Sequence, residues 1–437
     1  MQMTSLQYLK LHKLFRDLKS NNEFYINKLN TYSDITDITQ FYNELQILKK
    51  QTIIDSLDYY YDKSLIEVYN HSKIDLLDII LRTDDLSENH DKVLHVGDST
   101  WSLETTSGTT GNPLPIIKNK KEKLIESKYL AQCRKRFSYD SSISNGMLFV
   151  HKIDEYIKNI DLRENKDSNF NLLYDYMIKR KPKWIFSTTL ILKNYVDFIA
   201  RKGYDTSLIN LDFIETTSQK LFEDDKERIK LLFNCRFANN YGCREVWNIA
   251  YSCKFGNLHV DNVNLMVDVV DDDGKIIDDE NVDGNIIITS LVNRTTPFIK
   301  YLIGDRGKIL SKKCECGYDS PILILCEGRN REKLVGTNYY GNVVFRKVLR
   351  TINFHNEIKD IHKIRIVQSD TNTLKIYVKK EILHDIYFEK CFKDNFEMQI
   401  KKQIEFNLIF IYDYPFKDIE SKEILFINEI KDENKHE

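Results

Sequence analysis

TTSGTTGNP, residues 105–113, is the stretch on which the reading of this chain turns. Hydroxyl side chains and two glycines stand just ahead of a proline. Small residues let a backbone approach a polyphosphate, and main-chain N–H groups with Ser/Thr hydroxyls donate to its oxygens. The G-K-[ST] ending of a Walker loop is missing. A Ser/Thr/Gly turn with no ligand has the same composition, so the surrounding chain has to decide between the two.

Around that loop, short β-rich runs (GMLFVHK, WIFSTT, NLDFIETT, RFANNYG) alternate with helical stretches such as LILKNYVDFIARKG. This alternation predicts an α/β fold whose sheet is mainly parallel, with helices on its faces. Upstream, residues 1–95 read as mostly helical: LQYLKLHKLF and IDLLDIILRTDDL repeat apolar positions at three- and four-residue steps, and residues 1–90 contain neither glycine nor proline. From about residue 258 strands dominate. LMVDVVDDDGKIID predicts a hairpin turning at DDG, and GNIIITSLV a further strand. After GRNREK (328–333) a smaller α+β unit of about 100 residues begins. There IHKIRIVQ and TLKIYVKK flank an SDTN turn, followed by a helix over 382–404 and the strand IEFNLIFIYDY.

The chain has 437 residues, 42% of them apolar, enough for several structural units with a substantial core. Lys+Arg (64) and Asp+Glu (66) nearly cancel, which speaks against a nucleic-acid-binding surface. The KNKKEK run at 118–123 reads as a solvated face. No stretch of 18 apolar residues predicts a membrane span, and MQMTSLQYLKLHKLF lacks the apolar core of a secretory signal. Eight cysteines in a chain of this length make no disulfide scaffold, and a reducing cytoplasm is expected.

Three further segments join the loop in a familiar order: NNYGCREVW (239–247), YLIGDRG (301–307), with Asp305 expected in a tight glycine-flanked turn, and EGRNREKL (327–334). Together the four resemble the adenylate-forming superfamily of acyl-CoA synthetases, adenylation domains and luciferases. The resemblance is strongest to the phenylacetate–CoA ligase branch, with its relatives from capsule-biosynthesis loci, and runs from about residue 96 to the end. It implies a large multi-subdomain N-terminal α/β domain plus a small C-terminal α+β domain. Residues 1–95 would be the helical part of the large domain, 96–327 its adenylate-binding part, and 328–437 the small mobile domain.

The resemblance also assigns roles. Thr106, Ser107, Gly108, Thr109, Thr110 and Gly111 would wrap the β- and γ-phosphates of ATP. Glu245, a hard oxygen ligand, would hold magnesium with the hydroxyl of Thr109 or Thr110. Tyr241 would lie against adenine, Gly242 would belong to the same nucleotide site, Asp305 would accept from both ribose hydroxyls, and Arg329 would reach a ribose or phosphate oxygen. A solvated loop carboxylate is the plain alternative for Glu245 and for Asp305. The family's catalytic lysine falls on Lys422 in YPFKDIESKEILFI, with Lys417 as the alternative and Ser421 where the family has glycine. Arg331 occupies the hinge position, where the family has Asp or Lys. The implied reaction is adenylation of a carboxylic acid followed by transfer to coenzyme A. Transfer to an acyl-carrier protein or an amine, and an inactive binding homologue, are the alternatives; a homodimer is also compatible.

Cys253 and His259, with Cys314 and Cys316 of KKCECGYD, form a soft tetrahedral donor set suited to structural zinc. The C-x-C step is tighter than zinc-finger spacing, and four ordinary reduced side chains are the alternative. The branch carries a Cys-Cys-Gly-type element at this place, in some members with zinc. Cys133, Cys235, Cys243, Cys326 and Cys391 read as core or inert.

Lys422 acts in the first half-reaction alone on this reading. Lys422→Ala is therefore expected to abolish acyl-adenylate formation yet still convert supplied acyl-adenylate and coenzyme A to thioester. Arg331→Pro, which fixes φ at the hinge, is expected to do the reverse. Assaying the two half-reactions separately checks both, and full adenylation by Lys422→Ala would transfer the role to Lys417.

Overall fold

The structure, a computed structural model, describes residues 3–29, 38–63, 65, 92–96, 99–106, 114–139, 142–149, 162, 166–218, 223–326, 334–337, 339, 341, 344–345, 348–349, 364–378, 386–401, 404–412 and 426–428. It divides into two compact units: Met1–Ile303 with Gly307–Ile324, and Leu325–Glu437 with Gly304–Arg306.

In the large unit β1 (Lys92–Val96), β2 (Ser99–Thr105) and β3 (Pro115–Asn119) form an antiparallel sheet in that order. A second sheet contains β4 (Gly146–Phe149), β5 (Trp184–Thr188), β6 (Phe213–Thr217), β7 (Arg236–Tyr241), β8 (Ala250–Ser252), β9 (Leu258–Val260), β10 (Leu265–Val270), β11 (Gly284–Ser290), β12 (Tyr301–Leu310) and β13 (Ile322–Leu325). Its spatial order is β10-β11-β12-β13-β9-β8-β7-β6-β5-β4. β4 to β7 are parallel, and they are the strands separated by the helices Asp167–Arg180, Thr189–Lys202 and Glu223–Phe233; β7–β8, β8–β9, β9–β13 and β10–β11 are antiparallel. The mainly parallel sheet expected from the alternation is confined to this part, because past β7 the connections are too short for helical crossovers.

Local sequence explains these helices. Thr189–Lys202 starts at Thr188, whose hydroxyl accepts from the Ile191 N–H, and stops at Gly203, where φ is 66°. Its buried Ile191, Leu192, Tyr195, Val196, Phe198 and Ile199 form a single stripe against the parallel strands. The LQYLKLHKLF periodicity becomes the helix Ser5–Asn21, opened by a Thr4–Gln7 capping box. Buried tyrosines fasten this N-terminal part to the large unit: Tyr42 to Asp268 at 3.2 Å, Tyr61 to the Pro115 carbonyl at 3.1 Å, and Tyr60 to the Pro297 carbonyl. The IDLLDIILRTDDL stretch lies outside the described residues.

Two expectations change. The DDG turn forms, with Gly274 at φ 86°, but its second arm makes one isolated bridge, Val270↔Ile276; β10 pairs instead with GNIIITS. The KNKKEK run is a solvated face only in part: Lys120 and Lys121 are exposed, whereas Lys118 and Glu122 are buried. Lys118 is 0% exposed and paired with Glu126 at 2.9 Å, because it belongs to β3, whose residues 115–118 are all buried. Among the described residues no helix is long and apolar enough to cross a membrane.

In the smaller unit β14 (Ile364–Asp370), β15 (Thr373–Val378), β16 (Asn407–Ile411) and β17 (Phe426–Asn428) lie in the order β16-β15-β14-β17. The helix Ile386–Gln399 packs Phe388, Phe392 and Phe396 into this unit's own core.

In the large unit, one buried ion pair stands out on the face of β6 toward the helix Lys120–Lys135. Glu215, fully buried, accepts from Arg134 at 2.6 and 3.0 Å, from Tyr251 at 3.0 Å and from Asn240 at 3.0 Å. Arg134→Ala leaves that carboxylate short of its cation and is expected to destabilise the large unit by about 3–5 kcal/mol. Urea unfolding followed by far-UV circular dichroism checks this, and an unchanged midpoint would contradict it.

Candidate active site and a cysteine–histidine cluster

The strands β2 and β3 run antiparallel with Thr105 opposite Pro115, so the hydroxyl–glycine stretch is the connection at their end. Thr106 closes its stem: its N–H donates to the Leu114 carbonyl at 3.0 Å and its Oγ1 accepts from the Leu114 N–H at 2.8 Å. Ser107, Gly108, Thr109, Thr110 and Gly111 lie outside the described residues. The hairpin is held from below. Glu122 accepts from the N–H groups of Asn119, Arg294 and Thr295 at 2.8, 2.6 and 2.9 Å, and the Thr296 hydroxyl bridges the Ile117 backbone.

Beyond β7 the chain makes a turn carrying Tyr241, Gly242 and Glu245, at the carboxyl end of a parallel strand where open α/β sheets bind ligands. The turn is tight. A Cβ at position 242 would sit 1.9 Å from the Trp247 carbonyl oxygen, so only glycine fits. Trp247 itself has φ 57°, in the left-handed region, and its N–H donates to the Cys243 carbonyl at 2.7 Å. Glu245, 7% exposed, accepts from the Tyr301 hydroxyl at 2.9 Å. Lys50 lies within range of the Glu245 charge; burial lowers its pKa, and that charge opposes the shift. The Trp247 indole N–H donates to both oxygens of buried Glu104 on β2, at 2.8 and 3.0 Å. Burial raises the Glu126 carboxyl above its ordinary range, against the pull of Lys118.

Asp305 departs from the expected turn: it is buried within the continuous strand β12, and the glycine before it, Gly304, takes φ 88° inside that strand. Arg329, Arg331, Lys417 and Lys422 lie outside the described residues.

Cys253, His259, Cys314 and Cys316 converge, their donor atoms all within 4.8 Å of one another. The Sγ atoms of Cys253 and Cys314 are 3.9 Å apart, and Cys316 Sγ lies 3.3 Å from His259 Nε2. The other ring nitrogen, Nδ1, faces the Ser320 carbonyl at 3.0 Å, an arrangement that orients Nε2 for a metal. A backbone N–H from Cys316 holds the Cys314 thiol down at about 6, assisted by Asn257 and His259, whereas burial pushes Cys253 up to about 11. Three sulfurs and one imidazole suit tetrahedral zinc, and the polar donors around Cys314 favour its thiolate. By contrast burial pushes both Cys133 and Cys235 up to about 12, as befits core thiols.

No family model and no curated protein matches the sequence itself. Solved structures do. A 2-hydroxyisobutyryl-CoA ligase in its postadenylation state superposes with a TM-score of 0.64 at 12% identity, over 96% of this chain and 88% of that one. The O-succinylbenzoate coenzyme A synthetase of Bacillus subtilis, in complex with ATP and magnesium, matches at TM-score 0.50 and 12% identity, over 74% and 68%. An anthranilate CoA ligase with anthranoyl-AMP matches at 0.50 and 13%, over 72% and 64%. The chain has the fold of the adenylate-forming CoA ligases.

The Tyr241–Glu245 turn and the stem of the hydroxyl–glycine loop come from neighbouring parts of the large unit, joined by the Trp247–Glu104 hydrogen bond. Sequence reasoning missed Glu104, Lys118, Trp247 and Tyr301. Trp247 lay inside a quoted motif, and Glu104 stands one residue before the loop segment. The only available signal was a tryptophan and charged residues placed directly beside ligand motifs.

Proposed function

We propose that this protein uses ATP and magnesium to convert a carboxylic acid to its acyl-adenylate, releasing pyrophosphate, and then passes the acyl group to the thiol of coenzyme A. The observation that carries the reading is the buried Glu245 turn, hydrogen-bonded through Trp247 to the hairpin that ends in the hydroxyl–glycine loop. The likeness to a 2-hydroxyisobutyryl-CoA ligase over 96% of the chain supports it.

In the first step the substrate carboxylate attacks the α-phosphorus of ATP. The loop hydroxyls and N–H groups bind the β- and γ-phosphate oxygens and keep the leaving pyrophosphate in line. Bound magnesium supplies positive charge to the phosphate oxygens, and Glu245 with Thr109 or Thr110 would hold it. Tyr301 orients the Glu245 carboxylate through its hydroxyl. Tyr241 and Gly242 would face adenine, Asp305 and Arg329 would grip the ribose, and Lys422 would bridge the carboxylate and the α-phosphate. The small C-terminal domain, 328–437, would then turn about the segment near Arg331 to admit the thiol.

One departure favours a second acceptor, a carrier protein or an amine: Ser421 stands where the family has glycine before the lysine. An acyl-CoA product separates the first reading from the second, which leaves only adenylate that hydroxylamine traps. Glu245→Ala and Asp305→Ala are each expected to give a folded protein whose ATP–pyrophosphate exchange falls by about two to three orders of magnitude. Near-normal exchange removes the residue from the site.

We further infer that Cys253, His259, Cys314 and Cys316 hold one structural zinc, which would brace β8, β9 and the segment before β13 without touching ATP. Elemental analysis is expected to find about one zinc per chain. Cys314→Ser is expected to lower both zinc content and thermal stability, since metal binding is coupled to folding. A fully metal-free, equally stable protein contradicts the site.

A further inference from the structure

Four side chains that the adenylation chemistry does not use, three of them buried and Trp247 half-buried, meet between the loop hairpin and the Glu245 turn. Glu104 on β2 is 1% exposed, Lys118 on β3 is 0% exposed, and Glu126 on the following helix is 7% exposed. Lys118 Nζ lies 2.9 and 3.1 Å from the two Glu126 oxygens and 4.9 Å from the centre of the Trp247 ring. Lys123 Nζ approaches the same ring at 5.2 Å. The indole N–H is directed at the Glu104 carboxylate at 2.8 and 3.0 Å.

The placement in sequence gives this cluster its meaning. Glu104 stands two residues before Thr106, which closes the loop stem, and Trp247 stands two residues after Glu245. The turn between is stiff: the Val246 and Trp247 N–H groups both donate to the Cys243 carbonyl, at 3.3 and 2.7 Å. The Trp247 carbonyl also rests against Gly242, and φ at Trp247 is 57°. Shifting the indole therefore shifts the backbone that bears Glu245. The indole is clamped by a carboxylate at its N–H and by ammonium groups over its ring, contacts that gain strength out of water. Lys118 is committed to both Glu126 oxygens, and the indole N–H is the donor that meets Glu104, which phenylalanine would not supply.

We propose that Trp247 is a positioning residue: through its hydrogen bond to Glu104 and its contact with Lys118 it holds the Glu245 turn in register with the β2–β3 stem from which the hydroxyl–glycine loop springs. This rests on the adenylation reading. Trp247 and Glu104 touch neither ATP nor the acid in this account; they act through Glu245 and the loop.

Three variants test it, read by calorimetric MgATP binding, the magnesium dependence of ATP–pyrophosphate exchange, and thermal melting. Trp247→Phe keeps the ring and removes the donor. It is expected to weaken MgATP binding about 10- to 100-fold, the loss of one hydrogen bond to a charged group. The magnesium requirement is expected to rise while the KM for the acid stays unchanged. Glu104→Gln keeps an acceptor and is expected to retain most of the affinity. The double variant Trp247→Phe/Glu104→Leu leaves no buried carboxylate unpaired, so it is expected to melt near wild type yet show the same weak MgATP binding. If Trp247→Phe melts too low to assay, the double variant carries the test. A folded variant lacking the indole N–H that binds MgATP as tightly as wild type overturns the positioning role. So does a loss in Glu104→Gln as large as that in Trp247→Phe, which would make the charge the active element. Failure of the wild type itself to bind MgATP overturns the adenylation reading, and is told apart because no variant is involved.

Discussion

A carboxylate taken out of water costs several kcal/mol unless a donor meets it, and Glu104 meets the Trp247 indole. That requirement ties two segments separated by 143 residues, the hairpin under the hydroxyl–glycine loop and the turn bearing Glu245. The rest of the large unit serves the same junction. Lys118 and Glu126 neutralise each other beneath the indole, Glu122 secures the hairpin to Arg294 and Thr295, and Tyr301 meets Glu245 from β12. The N-terminal tyrosines lock the remaining edge, Tyr61 directly onto the hairpin at Pro115.

Much of the α/β architecture was legible because it rests on local signals. The Thr188 cap, the apolar stripe of Thr189–Lys202 and the Gly203 stop are all written within sixteen residues, 188–203. The turn after β7 was legible for another reason: NNYGCREVW puts a glycine where only glycine fits and a carboxylate at a strand's carboxyl end. The cysteine–histidine cluster was legible through the chemistry of its side chains, although its C-x-C spacing is unusual, because the β8–β9 hairpin brings Cys253 and His259 to the same end.

What was illegible depended on tertiary context. Lys118 in KNKKEK has the composition of a solvated run, and only its buried place on β3 and its pairing with Glu126 reverse that. Asp305 in YLIGDRG looks like a turn residue, yet Gly304 takes up a left-handed φ within a continuous strand, so no turn is needed. At DDG the second arm lost to GNIIITS, whose seven residues are all buried and offer β10 a longer partner. There the pairing of β10 with β11 overrides a local hairpin preference.

Acid-dependent adenylation is read most simply by exchange of labelled pyrophosphate into ATP by the wild-type protein across aryl, fatty, hydroxy and amino acids. At least one class is expected to raise exchange well above the acid-free rate, and omitting magnesium is expected to abolish it. Magnesium-independent exchange, or no exchange with any acid by a folded protein that binds MgATP, would contradict the adenylation reading.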